Sequence, residues 1–196
     1  HALRWLSERE GYDPQIVVQL RPTSPLRRVW HIDQAVLRLM QRPDADSIRT
    51  VCIPFQNPFK MWQINPDGMM TPLIKEIPGL GREKLEQEAA DWQQGMANWQ
   101  SGSPFTSSNE SSRQVELYNL PRQMLPVVYW QTGYVDVAWA DTILNKNSMT
   151  GDRILPLVIE PSEWIDIDSV DDWRRAERLL ESGEITFDDL GFQIAR

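Results

Sequence analysis

Apolar residues along the chain change their spacing several times, and each change marks an element. Ala2, Leu3 and Leu6 lie on one side of a helix that Gly11 and Pro14 end. Ile16 to Leu20 is a β-branched run of the kind buried on both faces of a sheet. Ile32, Ala35, Val36 and Leu39 then step by three and four, which predicts a helix. Asp46 to Ile53 predicts the next strand, and strand–helix–strand order predicts a parallel α/β sheet.

From Pro54 the rhythm breaks. Two apolar runs, 59–64 and 69–73, flank Asn65-Pro66-Asp67-Gly68, which predicts a hairpin: Pro presets φ and Gly supplies φ > 0. Leu85, Ala89, Trp92, Met96 and Trp99 predict one helix over 82–100, and the Ser-rich run 101–113 predicts a loop. Texture then returns to α/β. Residues 127–130 and 134–137 are strand-like around Gly133, 138–144 predicts a short helix, and 154–159 predicts an apolar strand. Trp164 to Asp168 alternates as a strand does, and Ser169 opens a helix with Asp172 in a capping box. Its predicted buried stripe is Val170, Trp173, Ala176 and Leu180, and Gly183 ends it.

Composition narrows the function classes. Among 196 residues the formal net charge is -8, which argues against a nucleic-acid partner. Residues from Glu160 onward hold 11 acids against four Arg, most of that excess. No run reaches 18 apolar residues, so no membrane span is expected. The single Cys52 excludes an internal disulfide and fits a reducing, cytoplasmic setting. The chain opens in helical pattern without Met, so either processing or a missing beginning is expected.

Asp166 and Asp168 are the sharpest chemical signal. At i and i+2 of a strand they share a face about 6–7 Å apart, and two carboxylates before a helix suit Mg²⁺. The competing interpretation is a solvated strand end that helps cap the next helix. Pro22-Thr23-Ser24-Pro25, flanked by Arg21 and Arg27, offers two hydroxyls after a strand. It is either a polar cradle or a rigid loop whose Ser or Thr caps the following helix. Lys60 and Arg122 sit on apolar segments as anion ligands or as snorkelling side chains. His31 reads as structural. No glycine-rich phosphate loop occurs.

Together these motifs resemble a known family. Leu20 to Arg27 is similar to the Leu-x-Pro-Thr-Ser-Pro-Leu-Arg signature of acylneuraminate cytidylyltransferases, the CMP-sialic acid synthetases. Asn57-Pro58-Phe59-Lys60, Pro121-Arg122-Gln123 with Leu125-Pro126, and Asp166-Ile167-Asp168 with Asp172 resemble three further segments in order. The resemblance covers residues 1 to about 77 and 117 to 182. It implies a three-layer, Rossmann-like nucleotidyltransferase sheet without its N-terminal strands. A dimerisation arm over 54–127 would contain an insertion at 79–115. It also implies CMP transfer from CTP to the anomeric hydroxyl of a nonulosonic acid in a Mg²⁺-dependent homodimer. By motif position Asp166 and Asp168 would hold the metal. Arg21, Thr23, Ser24 and Arg27 would shape the sugar pocket, with Gln123 and Gln131 as further substrate contacts. Lys60 and Arg122 would cross to the partner subunit's site.

Some positions depart from the family. Its Ala-Arg-Gly-Gly-Ser-Lys loop is absent, so these residues alone are expected to be inactive. Arg21 stands where many members have Gln. Trp130 to Gly133 replaces a segment with Arg before Asn-Gly, and Asp136 stands where some have Tyr. The acid is therefore open between N-acetylneuraminate and a legionaminic-type or other nonulosonic acid. A relative that loads another nucleotide or keto-sugar acid, and a non-catalytic dimerising subunit, are the alternatives.

Overall fold

The computed structural model describes residues 1–76 and 116–191. The helix expected at 82–100, the loop at 101–113 and the insertion at 79–115 lie outside the described residues. The chain divides into two compact units, one made of His1–Ile53 with Tyr129–Arg196 and the other of Pro54–Val128.

The first unit is mixed α/β. In chain order its described elements are α1 (Ala2–Glu10), β1 (Ile16–Gln19), α2 (Val29–Met40), β2 (Ser47–Cys52), β5 (Trp130–Trp139), α3 (Ala140–Asn145), β6 (Ile154–Val158) and α4 (Val170–Glu181). The four strands form one sheet in the order β1-β5-β2-β6. β2 and β6 pair in parallel, while β5 runs antiparallel between β1 and β2. The sheet is therefore mixed and not purely parallel. β1 and β2 share a direction, as the helix between them requires, but β5 fills the gap that strand–helix–strand order had left unassigned.

One face of the sheet carries the core. Ile48, Cys52, Val135, Val137 and Leu157 pack with Ala35 and Leu39 of α2. Leu39 and Ile48 are almost wholly enclosed, and each such burial stabilises by roughly 1.5–3 kcal/mol. At the end of β2 where the chain enters, Asp46 accepts from the N–H groups of Asp152 and Arg153 and from Lys146 Nζ at 2.7, 3.1 and 2.9 Å. These bonds depress the Asp46 carboxyl to about 2, with Lys146 as the largest cause. Gly151, at φ +71°, lies so close to Asp46 that a side chain there has no room.

Two helices differ from their predicted patterns. α1 ends at Gly11 in the left-handed conformation, as expected, but buries none of its residues. In α4 only Ala176 is buried, while Val170 and Trp173 are 68% and 56% exposed. The helix turns Ala176, Leu179 and Leu180 to a second cluster with Leu26, Ile165 and Ile185, and that rotation leaves Val170 and Trp173 in solvent.

The second unit contains the hairpin. β3 (Trp62–Ile64) pairs with β4 (Met70–Pro72). Gly68 N donates to Asn65 O at 2.9 Å with Gly68 at φ +82°, the turn that Pro66-Asp67-Gly68 predicts. Phe59, Leu117 and Leu125 form a small core of their own.

Candidate functional site

In the first unit the site starts where β1 ends. Ser24 N donates to Arg21 O at 3.3 Å, closing a tight turn with Pro22 at its second position. The turn is then clamped. Arg27 donates from Nε to Tyr134 O at 2.7 Å and from a terminal nitrogen to Arg21 O at 2.6 Å. The Arg27 guanidinium also lies 5.5 Å from the centre of the Tyr134 ring, and its burial lowers its pKa. Arg27 thus holds the loop through backbone carbonyls.

Tyr134 is the hub beneath this loop and is fully enclosed. Its hydroxyl accepts from Arg28 N at 2.7 Å and lies 3.2 Å from His31 Nδ1. Which of the two donates depends on the imidazole tautomer, and His31 Nε2 lies 3.9 Å from Glu163 Oε1. Burial lowers the His31 pKa against the pull of Glu163, and burial raises that of Tyr134. Neither residue was singled out for the site, because their link spans the chain and no local pattern announces it.

Neither hydroxyl of the loop caps α2. The N-cap of that helix is Arg28, without a side-chain cap bond. Ser24 is 1% exposed and its Oγ has no hydrogen-bond partner. The carbonyl of Thr23 instead accepts from Ile167 N at 2.8 Å. That bond joins the Pro-Thr-Ser-Pro turn to the Asp166-Ile167-Asp168 segment.

The latter segment is not a strand. Residues 164–167 are irregular, with the Thr23 bond as their link to the turn. Among the described residues no neighbouring strand pairs with it, so sequence alternation alone does not make one. The alternation still sorts the side chains, since Ile165 and Ile167 both join the second cluster. Asp166 is half-buried, with Oδ1 enclosed and unpartnered, and Asp168 is exposed. Neither caps α4. Ser169 Oγ accepts from Asp172 N at 3.3 Å, and Asp172 Oδ2 accepts from Ser169 N at 2.9 Å. Asp172, not the Asp166 or Asp168 side chain, completes the box, and its bond with Ser169 lowers its pKa.

The wall opposite the turn comes from a bulge in β5. Arg49 pairs with Asp136 and Val51 with Gln131, so Thr132 to Val135 stand against Thr50 alone. Thr132 Oγ1 lies 2.9 Å from Thr50 Oγ1, which in turn accepts from Val135 N at 3.0 Å. Gly133 sits in the bulge at φ +67°, and a Cβ there would lie 2.5 Å from Arg21 Cζ. The exposed Arg21 guanidinium therefore rests against the Gly133 backbone. Gln131 is exposed at the start of the bulge. A Gly inside a strand pattern is the sequence signal for such a feature.

Asp136 is enclosed, with Oδ2 paired and Oδ1 unpartnered. It is 4% exposed and forms a 2.5 Å ion pair with Arg49. Arg49 also donates to Met149 O at 2.7 Å.

In the second unit Lys60 and Arg122 are both exposed. Lys60 Nζ donates to Tyr118 O at 3.3 Å and Arg122 donates to Pro54 O at 3.2 Å. Their segments meet on the Phe59, Leu117 and Leu125 cluster. Gln123 is exposed beside Arg122.

No group of three or more His, Cys, Asp or Glu able to hold a metal occurs among the described residues. Mg²⁺ needs fewer, typically one or two carboxylates completed by waters and substrate phosphates. Of the two carboxylates, Asp166 has an enclosed Oδ1 without a partner, an atom that a cation would satisfy, while Asp168 two residues on is exposed and not set on a shared strand face. No helix among the described residues is long and apolar enough to cross a membrane. No protein-family model and no curated protein matches the chain.

Proposed function

We propose that this chain is the substrate-binding part of a CMP-nonulosonate synthetase, transferring CMP from CTP to a nonulosonic acid and releasing pyrophosphate. The proposal rests on the motif resemblance. The observation that supports it is the Thr23–Ile167 bond, which brings two of those motifs together with Ser24 Oγ and Asp166 Oδ1 both unpartnered. Polar atoms left so in a protein interior cost about 1–3 kcal/mol each, and a ligand that satisfies them offsets that cost.

In the reaction the anomeric hydroxyl attacks the α-phosphorus of CTP. The bond from that phosphorus to the bridging oxygen breaks, pyrophosphate leaves, and the hydroxyl proton passes to solvent. Asp166 and Asp168 would hold Mg²⁺, which when bound supplies positive charge for the phosphate oxygens. Thr23 and Ser24 orient the sugar from the clamped turn, with Arg27 fixing the turn itself. Gln131 and Gln123 are further substrate contacts. Lys60 and Arg122, carried on the second unit as a dimerisation arm, serve the partner subunit's phosphates. The same proposal includes a three-layer, Rossmann-like sheet and a cytoplasmic homodimer.

The test is pyrophosphate release by the natural protein, including whatever precedes His1, given CTP, Mg²⁺ and N-acetylneuraminate or legionaminate. Release that needs all three components is expected. No release with either acid, or equal release without one, would contradict the proposal.

A further inference from the structure

A carboxylate at the head of the acidic segment faces two groups from the start of α2. Glu163 closes a turn on itself: its N–H donates to Glu160 O at 2.9 Å, and its Oε2 accepts from Glu160 N at 2.8 Å. Its other oxygen, Oε1, lies 3.8 Å from a terminal nitrogen of Arg28 and 3.9 Å from His31 Nε2. His31 is 1% exposed, and neither its Nε2 nor Arg28 Nε has a hydrogen-bond partner among the described residues. The imidazole is set between the Trp30 ring, 3.7 Å away, and the edge-on ring of Tyr134. The Tyr134 hydroxyl reaches both residues, accepting from Arg28 N at 2.7 Å and lying 3.2 Å from His31 Nδ1. One enclosed phenol thus places both groups that face Glu163.

Ile167, further along the same segment, donates to Thr23 O at 2.8 Å. Asp166 therefore lies between two ties, and both lead to the stretch from Thr23 to His31. Packing fixes the apolar side of the segment, since Trp164 meets the first cluster and Ile165 and Ile167 the second. The polar side depends on the ties. We propose that His31 and Arg28, acting through Glu163, hold the acidic segment so that Asp166 is presented to Mg²⁺. This inference rests on the proposed function. A carboxylate that binds a metal needs its chain held in place by groups that do not touch the metal. A pair withdrawn from water supplies such a hold better than an exposed one. Glu163, His31, Arg28 and Tyr134 are positioning residues that act through Asp166.

The experiment compares Glu163→Gln, His31→Asn and their combination with the wild type in the natural protein, each checked for folding by a melting curve. Glu163→Gln removes the charge and keeps an oxygen for Glu160 N. His31→Asn keeps a polar group near Tyr134 and removes the one that faces Glu163. The first readout is hydrogen exchange of the Ile167 amide, followed by NMR. The second is the Mg²⁺ concentration giving half-maximal pyrophosphate release from CTP with N-acetylneuraminate or legionaminate. Each single variant should speed Ile167 exchange by about tenfold or more and leave the amides of β2 and β5 unchanged. Each should also raise that Mg²⁺ concentration by about tenfold or more, with KM for the sugar acid within twofold. The double variant should be no worse than the stronger single one. If His31→Asn does not fold, Glu163→Gln, at a side chain 24% exposed, decides alone. Unchanged Ile167 exchange in Glu163→Gln would overturn the tie. Faster exchange with unchanged Mg²⁺ dependence would overturn its positioning role and leave the cytidylyltransfer proposal intact. A wild type that releases no pyrophosphate with either acid would overturn that proposal and the Mg²⁺ role together, while Ile167 exchange still decides the tie.

Discussion

The carbonyl of Thr23 accepts a 2.8 Å hydrogen bond from the backbone N–H of Ile167. Between them these two residues tie a Pro-bounded turn near the start of the chain to an acidic segment near its end. Ile167 is held from the other side by the cluster of Leu26, Ile165, Ala176 and Ile185. The bond is therefore set by packing, and the hydroxyls and carboxylates around it are left for other partners.

The acidic segment and the helix cap are separable. Asp168→Asn removes charge without touching the cap, so kcat should fall by orders of magnitude with little change in Tm. A 10³-fold loss corresponds to about 4 kcal/mol in barrier. Ser169→Ala removes the cap and should cost about 0.5–2 kcal/mol of stability with kcat nearly intact. Melting curves and Mg²⁺ titrations of the two variants check the division; a Tm loss in Asp168→Asn with unchanged Mg²⁺ dependence would reverse it.

Gly133 and Gly183 both have positive φ, +67° and +76°, but only Gly133 has a neighbour where a Cβ would go. That neighbour is the end of a flexible side chain and can swing away. Alanine should therefore cost a similar amount at both sites, roughly 1 kcal/mol of backbone strain. Equilibrium unfolding of the two variants measures this, and a much larger loss at Gly133 would mean that Arg21 is fixed in place.

Asp136 is enclosed with Arg49. Asp136→Ala leaves a buried guanidinium without its partner and should destabilise by about 3–5 kcal/mol. Asp136→Asn, milder in stability, should leave KM for the sugar acid unchanged. A specific change in that KM would place Asp136 at the sugar pocket.

Acid should loosen the loop that follows α3. The Asp46 carboxyl is depressed to about 2 in the folded protein, below its ordinary value near 3.9. Its stabilising contribution is present above that ordinary value and is lost as pH falls through the folded value. Tm should thus drop between about pH 4 and 2, and Asp46→Asn should flatten that part of the profile. An unaltered acid slope in the variant would contradict the role of Asp46.

Local chemistry was legible in the sequence where it is self-contained. Pro66-Asp67-Gly68 and the Ser169–Asp172 box each satisfy their own hydrogen bonds within a few residues, so the pattern suffices. Pairing across the chain was not legible. Nothing in 130–139 states that it lies antiparallel between β1 and β2, or that its bulge answers Thr50. The strict alternation at 164–168 misled for the same reason, since a strand needs a neighbour to bond with. Val170 and Trp173 carried the helical period, but the face that packs is decided by Leu26 and Ile185, which come from elsewhere. Tyr134 was read only as part of a strand, and its contacts with Arg27, Arg28 and His31 emerge once the fold brings them together.

The most direct measurement is the product itself. The natural protein, with CTP, Mg²⁺ and a nonulosonic acid labelled with ¹³C at its anomeric carbon, can be followed by ³¹P and ¹³C NMR. The account predicts a new phosphodiester resonance coupled to the labelled carbon, appearing with pyrophosphate and abolished in Asp168→Asn. Persistence of CTP and free acid unchanged, or CTP consumption without a carbon–phosphorus coupling, would contradict it.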